Sequence, residues 1–142
     1  IYARDIARII EYDMFVDDSF VTRQRADGII LASPTGSTAY ALSAGGPLLV
    51  PWMRAINIVP LCPHTISNRP LVISDNNKVS IKLTDRGPLS GLSGDGQQHY
   101  SLVENTVVHI TGAKNCLTIL HPEKYDYFHT LRTKLSWSTL PK

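Results

Sequence analysis

The chain predicts a mostly-β domain, and three observations carry that prediction. Short apolar stretches recur about every ten residues, RIIEYDMFVDD and KVSIKLT among them alternate apolar with polar positions, and only two windows carry helical spacing. Eight or nine such strands point to a sandwich or barrel rather than a parallel sheet with crossover helices.

The elements follow in order. From Arg8 to Asp18, RIIEYDMFVDD places Ile10, Tyr12, Met14 and Val16 on one side and Glu11, Asp13, Phe15 and Asp17 on the other, which is the period of a strand. Asp17, Asp18 and Ser19 supply turn chemistry, and FVTRQR resumes as the second arm of a hairpin. Gly28 to Ala32 forms the next strand and leads into ASPTGSTAYALSAGGPLLVP. Further strands are AINIVPL, PLVIS and KVSIKLT, the last alternating Val79, Ile81 and Leu83. DRGPLSGLSGDG reads as loop, and QQHYSL, TVVHITGA and CLTILH read as three more strands. One helical window is short, Ser37 to Ala44, and is stopped by Gly45, Gly46 and Pro47. The other, PEKYDYFHTLRTKL, sets Tyr125, Phe128, Leu131 and Leu135 on one stripe with Pro122 in its first turn.

At 142 residues the chain is one domain by length. Such a domain buries roughly 70% of its unfolded surface, enough for a core without staples. A net charge of +2 with no Lys/Arg cluster does not favour a nucleic-acid partner. Cys62 and Cys116 form no Cys-x-x-Cys pair, which argues against a zinc site and fits a reducing cytoplasm. No stretch approaches the roughly 18 apolar residues of a membrane span, and IYARDIARII has neither initiator Met nor signal-peptide regions, so the chain reads as a piece of something longer.

The turn after Leu31 is the main chemical question. Clustered Gly, Ser and Thr at a short helix start serve either as a cap with tight packing, or as a place where N–H groups and hydroxyls approach a ligand. Tyr40 is similarly a core residue or a stacking platform. A Walker loop is excluded because no Gly-Lys-Ser/Thr order occurs. Asp27 sits at a strand mouth, a turn signal that also suits ribose or amide recognition, and Arg8, Arg23 and Arg25 on neighbouring strands either face solvent or clamp a phosphate. SGDGQ, Ser93 to Gln97, is a plain turn or a way to present Asp95 or the Gln97 amide. The five histidines show no metal-ligand spacing, and GLSGD misses the final Gly of a hydrolase elbow.

At DGIILASPTGSTAYALSAGGP the sequence resembles the NAD kinase family, whose Gly-Ser-Thr-Ala-Tyr, Ser and Ala-Gly-Gly-Pro signature is matched by Gly36 to Tyr40, Ser43, and Ala44 to Pro47. PHTISNRPLVIS, DGQ and the ending LHPEKYDYFHTLRTKLSW extend the likeness over essentially the whole chain, toward proteobacterial members. The resemblance implies a C-terminal β-sandwich with one short internal helix and one C-terminal helix. It implies a parent enzyme that phosphorylates the adenosine ribose 2′-hydroxyl of NAD to NADP, using ATP or polyphosphate and a divalent cation, Mg or Mn. The family's catalytic Asp lies in a Gly-Gly-Asp-Gly loop of an N-terminal α/β domain, followed later by an Asn-Glu or Asn-Asp pair. Neither is present here, so this piece alone is expected to be inactive.

By the same resemblance, Thr38, Ala39, Tyr40, Ala41, Leu42 and Ser43 line the NAD pocket, with Tyr40 against a ring and Gly36 allowing backbone approach. Asp27 matches an acidic contact to the nicotinamide end, made to the dinucleotide of a neighbouring subunit. Arg8, Arg25 and Gln97 match nucleotide-contact positions, and Cys62 and His64 lie on a segment that approaches the ligand across a subunit interface. A cytoplasmic homodimer or homotetramer follows, with no membrane or nucleic-acid partner. The rivals are a β-sandwich ligand-binding module with no enzymatic parent, a serine hydrolase and a lipid kinase of the same two-domain plan.

Overall fold

The computed structural model describes residues 1–4, 9–65, 68–84, 90–114 and 117–137. The chain divides into two compact units, 1–112 and 113–142. The first is a sandwich of two antiparallel sheets. Its strands are β1 (Tyr2–Ala3), β2 (Ile10–Val16), β3 (Ser19–Ala26), β4 (Gly28–Ala32), β5 (Ala55–Leu61), β6 (Leu71–Ser74), β7 (Val79–Leu83), β8 (Ser90–Gly94), β9 (Gln98–Leu102) and β10 (Val107–Ile110). Six form one sheet in the order β6-β5-β4-β1-β8-β9, and four form the other in the order β10-β7-β2-β3.

Alternation decides which side chains meet between the sheets. Ile10, Tyr12 and Met14 of β2 and Val79, Ile81 and Leu83 of β7 are buried with Ile29, Ile56, Ile58 and Leu102 in one apolar cluster. The β2–β3 hairpin turns through Asp17 and Asp18, both at positive φ, as a tight turn matched to strand twist requires. Buried Tyr12 donates to Gln24 Oε1 at 3.4 Å, and burial pushes its hydroxyl pKa well up, so it remains a donor. On the opposite face of this hairpin Arg23 clamps Asp13 with two bonds, of 2.7 and 2.8 Å.

Two strands arise where none was expected. β8 lies within DRGPLSGLSGDG and pairs with β9 over Ser90↔Leu102 to Gly94↔Gln98, and the two-residue β1 is inserted between β4 and β8. The short internal helix is realised as a 3₁₀ turn, Thr35–Thr38, and one α-turn, α1 (Tyr40–Ser43), broken at Ala39.

The second unit carries α2 (Tyr127–Leu135). It begins at an Asp126 cap that accepts from the His129 N–H at 3.0 Å, four residues after Pro122, and ends at Ser136 in the left-handed conformation. The strand expected at CLTILH is not formed by its described residues, and Leu117 and Leu120 are 88% and 89% exposed. Alternating apolar residues specify a face but not a partner strand. Cys116 lies outside the described residues, as does Arg8.

Candidate functional site

The site begins with the face of the six-stranded sheet turned away from the core. Ile1, Ala3, Ile29, Leu31 and Leu92 pack toward the core, so the residues between them, Tyr2, Ile30 and Gly91, face outward, joined by Val59 and Leu61 of β5. The segment after β4 folds over one end of this outer face. Gly46 makes that possible: a Cβ there would lie 2.7 Å from Val59 Cγ2 and 2.8 Å from the Ala41 carbonyl oxygen. The Ser37 hydroxyl ties the segment down by donating to the Pro34 carbonyl at 2.6 Å and accepting from the Leu49 N–H at 2.9 Å.

Beside this segment lies a cleft of about 810 Å³. That size falls within the roughly 300–1,000 Å³ of small-molecule sites. Tyr2, Ile30 and Leu61 contribute to its lining from the strands, Gly36, Ala39, Tyr40 and Ala41 from the signature segment, and Ser93 to Gly96 from the β8–β9 turn. That turn is tight because Asp95 and Gly96 both take positive φ and the Gln97 N–H bonds to the Gly94 carbonyl at 3.0 Å. Tyr40 is 65% exposed, so its ring is available to a ligand rather than spent on the core.

The expected site residues divide into groups. Gly36, Ala39, Tyr40 and Ala41 line the cleft; Thr38, Leu42 and Gln97 lie next to lining residues in sequence, Ser43 lies two residues beyond Ala41, and the Thr38 hydroxyl donates to the Thr35 carbonyl at 3.1 Å. Asp27, Cys62, His64 and Arg25 gather instead at the β3–β4 corner. There the Asp27 N–H bonds to the Leu61 carbonyl at 3.0 Å and the His64 N–H to the Arg25 carbonyl at 2.9 Å. Cys62 takes a positive φ of 44°, and its exposed thiol is held above the ordinary thiol pKa, first by a hydrogen bond to the Asp27 carboxylate and then by that group's charge and by burial. The Arg25 and Arg23 side chains face carboxylates of β2: Arg25 Nε lies 3.8 Å from Glu11 Oε2, and Arg23 is occupied by Asp13. Tyr2 and Ser33 were not anticipated as cleft residues; Tyr2 lies in a strand too short to leave a periodic signal, whereas Ser93 to Gly96 stood out as a Gly-flanked turn.

Among the described residues no three His, Cys, Asp or Glu side chains are placed to hold a metal ion. A protein cage for the divalent cation that the family resemblance implies is therefore not formed by the described residues, and no step runs through a cation on them. Among the described residues, no helix is long and apolar enough to cross a membrane.

The family model described as the ATP-NAD kinase C-terminal domain matches residues 1–121. An NAD kinase of Tolumonas auensis is 50% identical over 135 residues, which cover 94% of this chain and 46% of that protein. One from Serratia proteamaculans is 47% identical over 133 residues, with the same coverage. The chain thus spans less than half the length of these curated relatives. Among solved structures, a yeast NADH kinase complexed with NADH superposes at a TM-score of 0.87 with 27% identity, covering 99% of this chain and 44% of that one. An NAD kinase from Archaeoglobus fulgidus in complex with ATP superposes at 0.72 with 29% identity, covering 80% and 43%.

Proposed function

This chain belongs to the ATP-NAD kinase C-terminal domain family, and on that premise we propose that it is the dinucleotide-binding half of an NAD kinase. The parent enzyme transfers a phosphoryl group from ATP, or polyphosphate, to the adenosine ribose 2′-hydroxyl of NAD, giving NADP. The observation that carries this reading is convergence: the signature segment, through Gly36 and Ala39 to Ala41, and the β8–β9 turn open onto one cleft of dinucleotide scale. The yeast neighbour's NADH and the archaeal neighbour's ATP support NAD and ATP as the substrates.

In this reading the chain binds and orients, and the chemistry is completed elsewhere. Tyr40 packs against a heteroaromatic ring, Gly36 allows backbone approach, and Thr38, Leu42, Ser43 and Gln97 complete the surroundings of the ligand. No described residue is assigned as the base that takes the ribose proton; that role falls to an N-terminal domain, as the cation site does. Phosphoryl transfer depends on positioning and charge stabilisation, so a binding half alone forms no NADP. Asp27, Cys62 and His64 serve the dinucleotide of a neighbouring subunit in a homodimer or homotetramer, a role supported by their gathering at the β3–β4 corner, outside the residues that line the cleft. Arg8 and Arg25 contact the nucleotide through its phosphates. The enzyme works in the cytoplasm, which suits an exposed free thiol at Cys62.

Titration calorimetry of this chain with NAD and NADP tests the reading. Weak saturable binding is expected together with no NADP formation when ATP and Mg are added. An absence of heat at millimolar coenzyme would contradict the dinucleotide site, and turnover would contradict the division of labour.

A further inference from the structure

Two glycines flank Tyr2 in the middle of the six-stranded sheet. Gly28 of β4 pairs with it on one side and Gly91 of β8 on the other. Directly paired residues share a face, so a side chain at either position would compete with the phenol ring. At Gly91 the competition is severe: a Cβ would lie 2.6 Å from Tyr2 Cζ, 2.8 Å from Oη and 2.9 Å from Cε1. The ring therefore lies over bare backbone. At Gly28 a Cβ would meet the Ile1 carbonyl oxygen at 2.5 Å and Tyr2 Cα at 3.3 Å, so the strand carrying the ring is also held close by a glycine.

This ring is not a core residue. Its neighbours Ile1 and Ala3 take the core side, while Tyr2 is half-buried and lines the outer cleft. Tyr40 is the other aromatic residue among the described lining residues. A cleft with one aromatic ring from the signature segment and a second from the sheet suits a ligand with planar heteroaromatic groups, because offset stacking on tyrosine tolerates any base.

We propose that Tyr2 is a further binding residue of the cleft, packing against a heteroaromatic base of the dinucleotide, and that Gly91 is the seat that holds its ring there. This rests on the dinucleotide reading above.

The test is NAD titration of the chain carrying Tyr2, Tyr2→Phe, Tyr2→Ala, Gly91→Ala and the Tyr2→Ala/Gly91→Ala pair, each checked for folding by circular dichroism. AMP and nicotinamide mononucleotide serve as second probes to assign which base meets the ring. Tyr2→Phe keeps the aromatic face and is expected to stay within about two-fold of the parent, whereas Tyr2→Ala is expected to weaken binding by about five-fold or more. Gly91→Ala weakens binding too, and the double variant is no weaker than Tyr2→Ala alone, because both changes remove the same contact. If Gly91→Ala does not fold, the two Tyr2 variants decide. Equal affinity of Tyr2→Ala and the parent overturns the proposal while leaving the dinucleotide site standing, and a Tyr2→Phe chain as weak as Tyr2→Ala overturns the stacking role. Failure of the parent chain itself to bind NAD removes the dinucleotide reading, and this proposal with it.

Discussion

The Ser37 hydroxyl accepts the Leu49 N–H at 2.9 Å, and Ser37 is 0% exposed. A serine at the centre of the signature segment thus belongs to the scaffold, while its neighbours Gly36 and Ala39 to Ala41 face the cleft. Within a few residues the segment is both closed on itself, Ser37 to Leu49, and made one wall of the cleft.

Ser37→Ala removes the acceptor for the buried Leu49 N–H and the donor to Pro34. A buried amide left unpaired costs about 1–3 kcal/mol, so the urea midpoint is expected to fall by that equivalent at unchanged slope. A fluorophosphonate probe is expected to leave Ser37 unlabelled; stoichiometric labelling would revive the hydrolase reading.

Asp13 and Arg23 set a pH dependence. The Arg23 hydrogen bonds hold the Asp13 carboxyl below its usual range, against a smaller effect of burial. A depressed folded-state pKa contributes stability that is fully present above the unfolded value of about 3.9 and is lost as pH falls through the folded one. Asp13→Asn is therefore expected to be less stable than the parent at pH 7. The gap should narrow steadily below pH of about 4, as read by denaturation at a series of pH values. A gap independent of pH would contradict the ion pair.

The Asp27 carboxylate suppresses ionisation of the Cys62 thiol. Asp27→Asn removes the charge and lowers the thiol pKa, and the thiolate is the reactive form. Iodoacetamide is therefore expected to alkylate Cys62 faster in Asp27→Asn than in the parent at pH 7.5, with peptide mapping used to separate Cys62 from Cys116. An unchanged rate would show that the two groups do not interact.

Tyr40→Ala removes an exposed aromatic face from the cleft, and Asp27→Ala removes the carboxylate at the β3–β4 corner. Each is expected to weaken NAD binding by about five-fold or more in calorimetry. For Asp27 the loss should appear only at concentrations where sedimentation shows a dimer or larger assembly. Unchanged affinity in both variants would remove them from the site.

Much of this was legible in the sequence, for reasons visible in particular residues. β2 and β7 announce themselves because Ile10, Tyr12, Met14, Val79, Ile81 and Leu83 alternate and are buried. β8 was hidden because Gly91 and Ser93 give an outward face no apolar or β-branched signature, and the absence of a side chain at Gly91 is what accommodates Tyr2. The stretch CLTILH shows the converse, with strand-like spacing in Leu117 and Ile119 but no strand formed by its described residues. The signature segment revealed that a special turn follows β4, but not how its residues divide, since the roles of Ser37 and Gly46 depend on how the segment closes onto Leu49 and Ala41 and packs on Val59 of β5.

Whether the outer-face cleft holds the dinucleotide is decided by a crystal structure of this chain soaked with NAD. Density is expected in the outer-face cleft, between the Gly36 to Ala41 segment and the Ser93 to Gly96 turn, with a base against the Tyr40 ring. Ordered coenzyme at another place on the molecule, with that cleft empty, would contradict it.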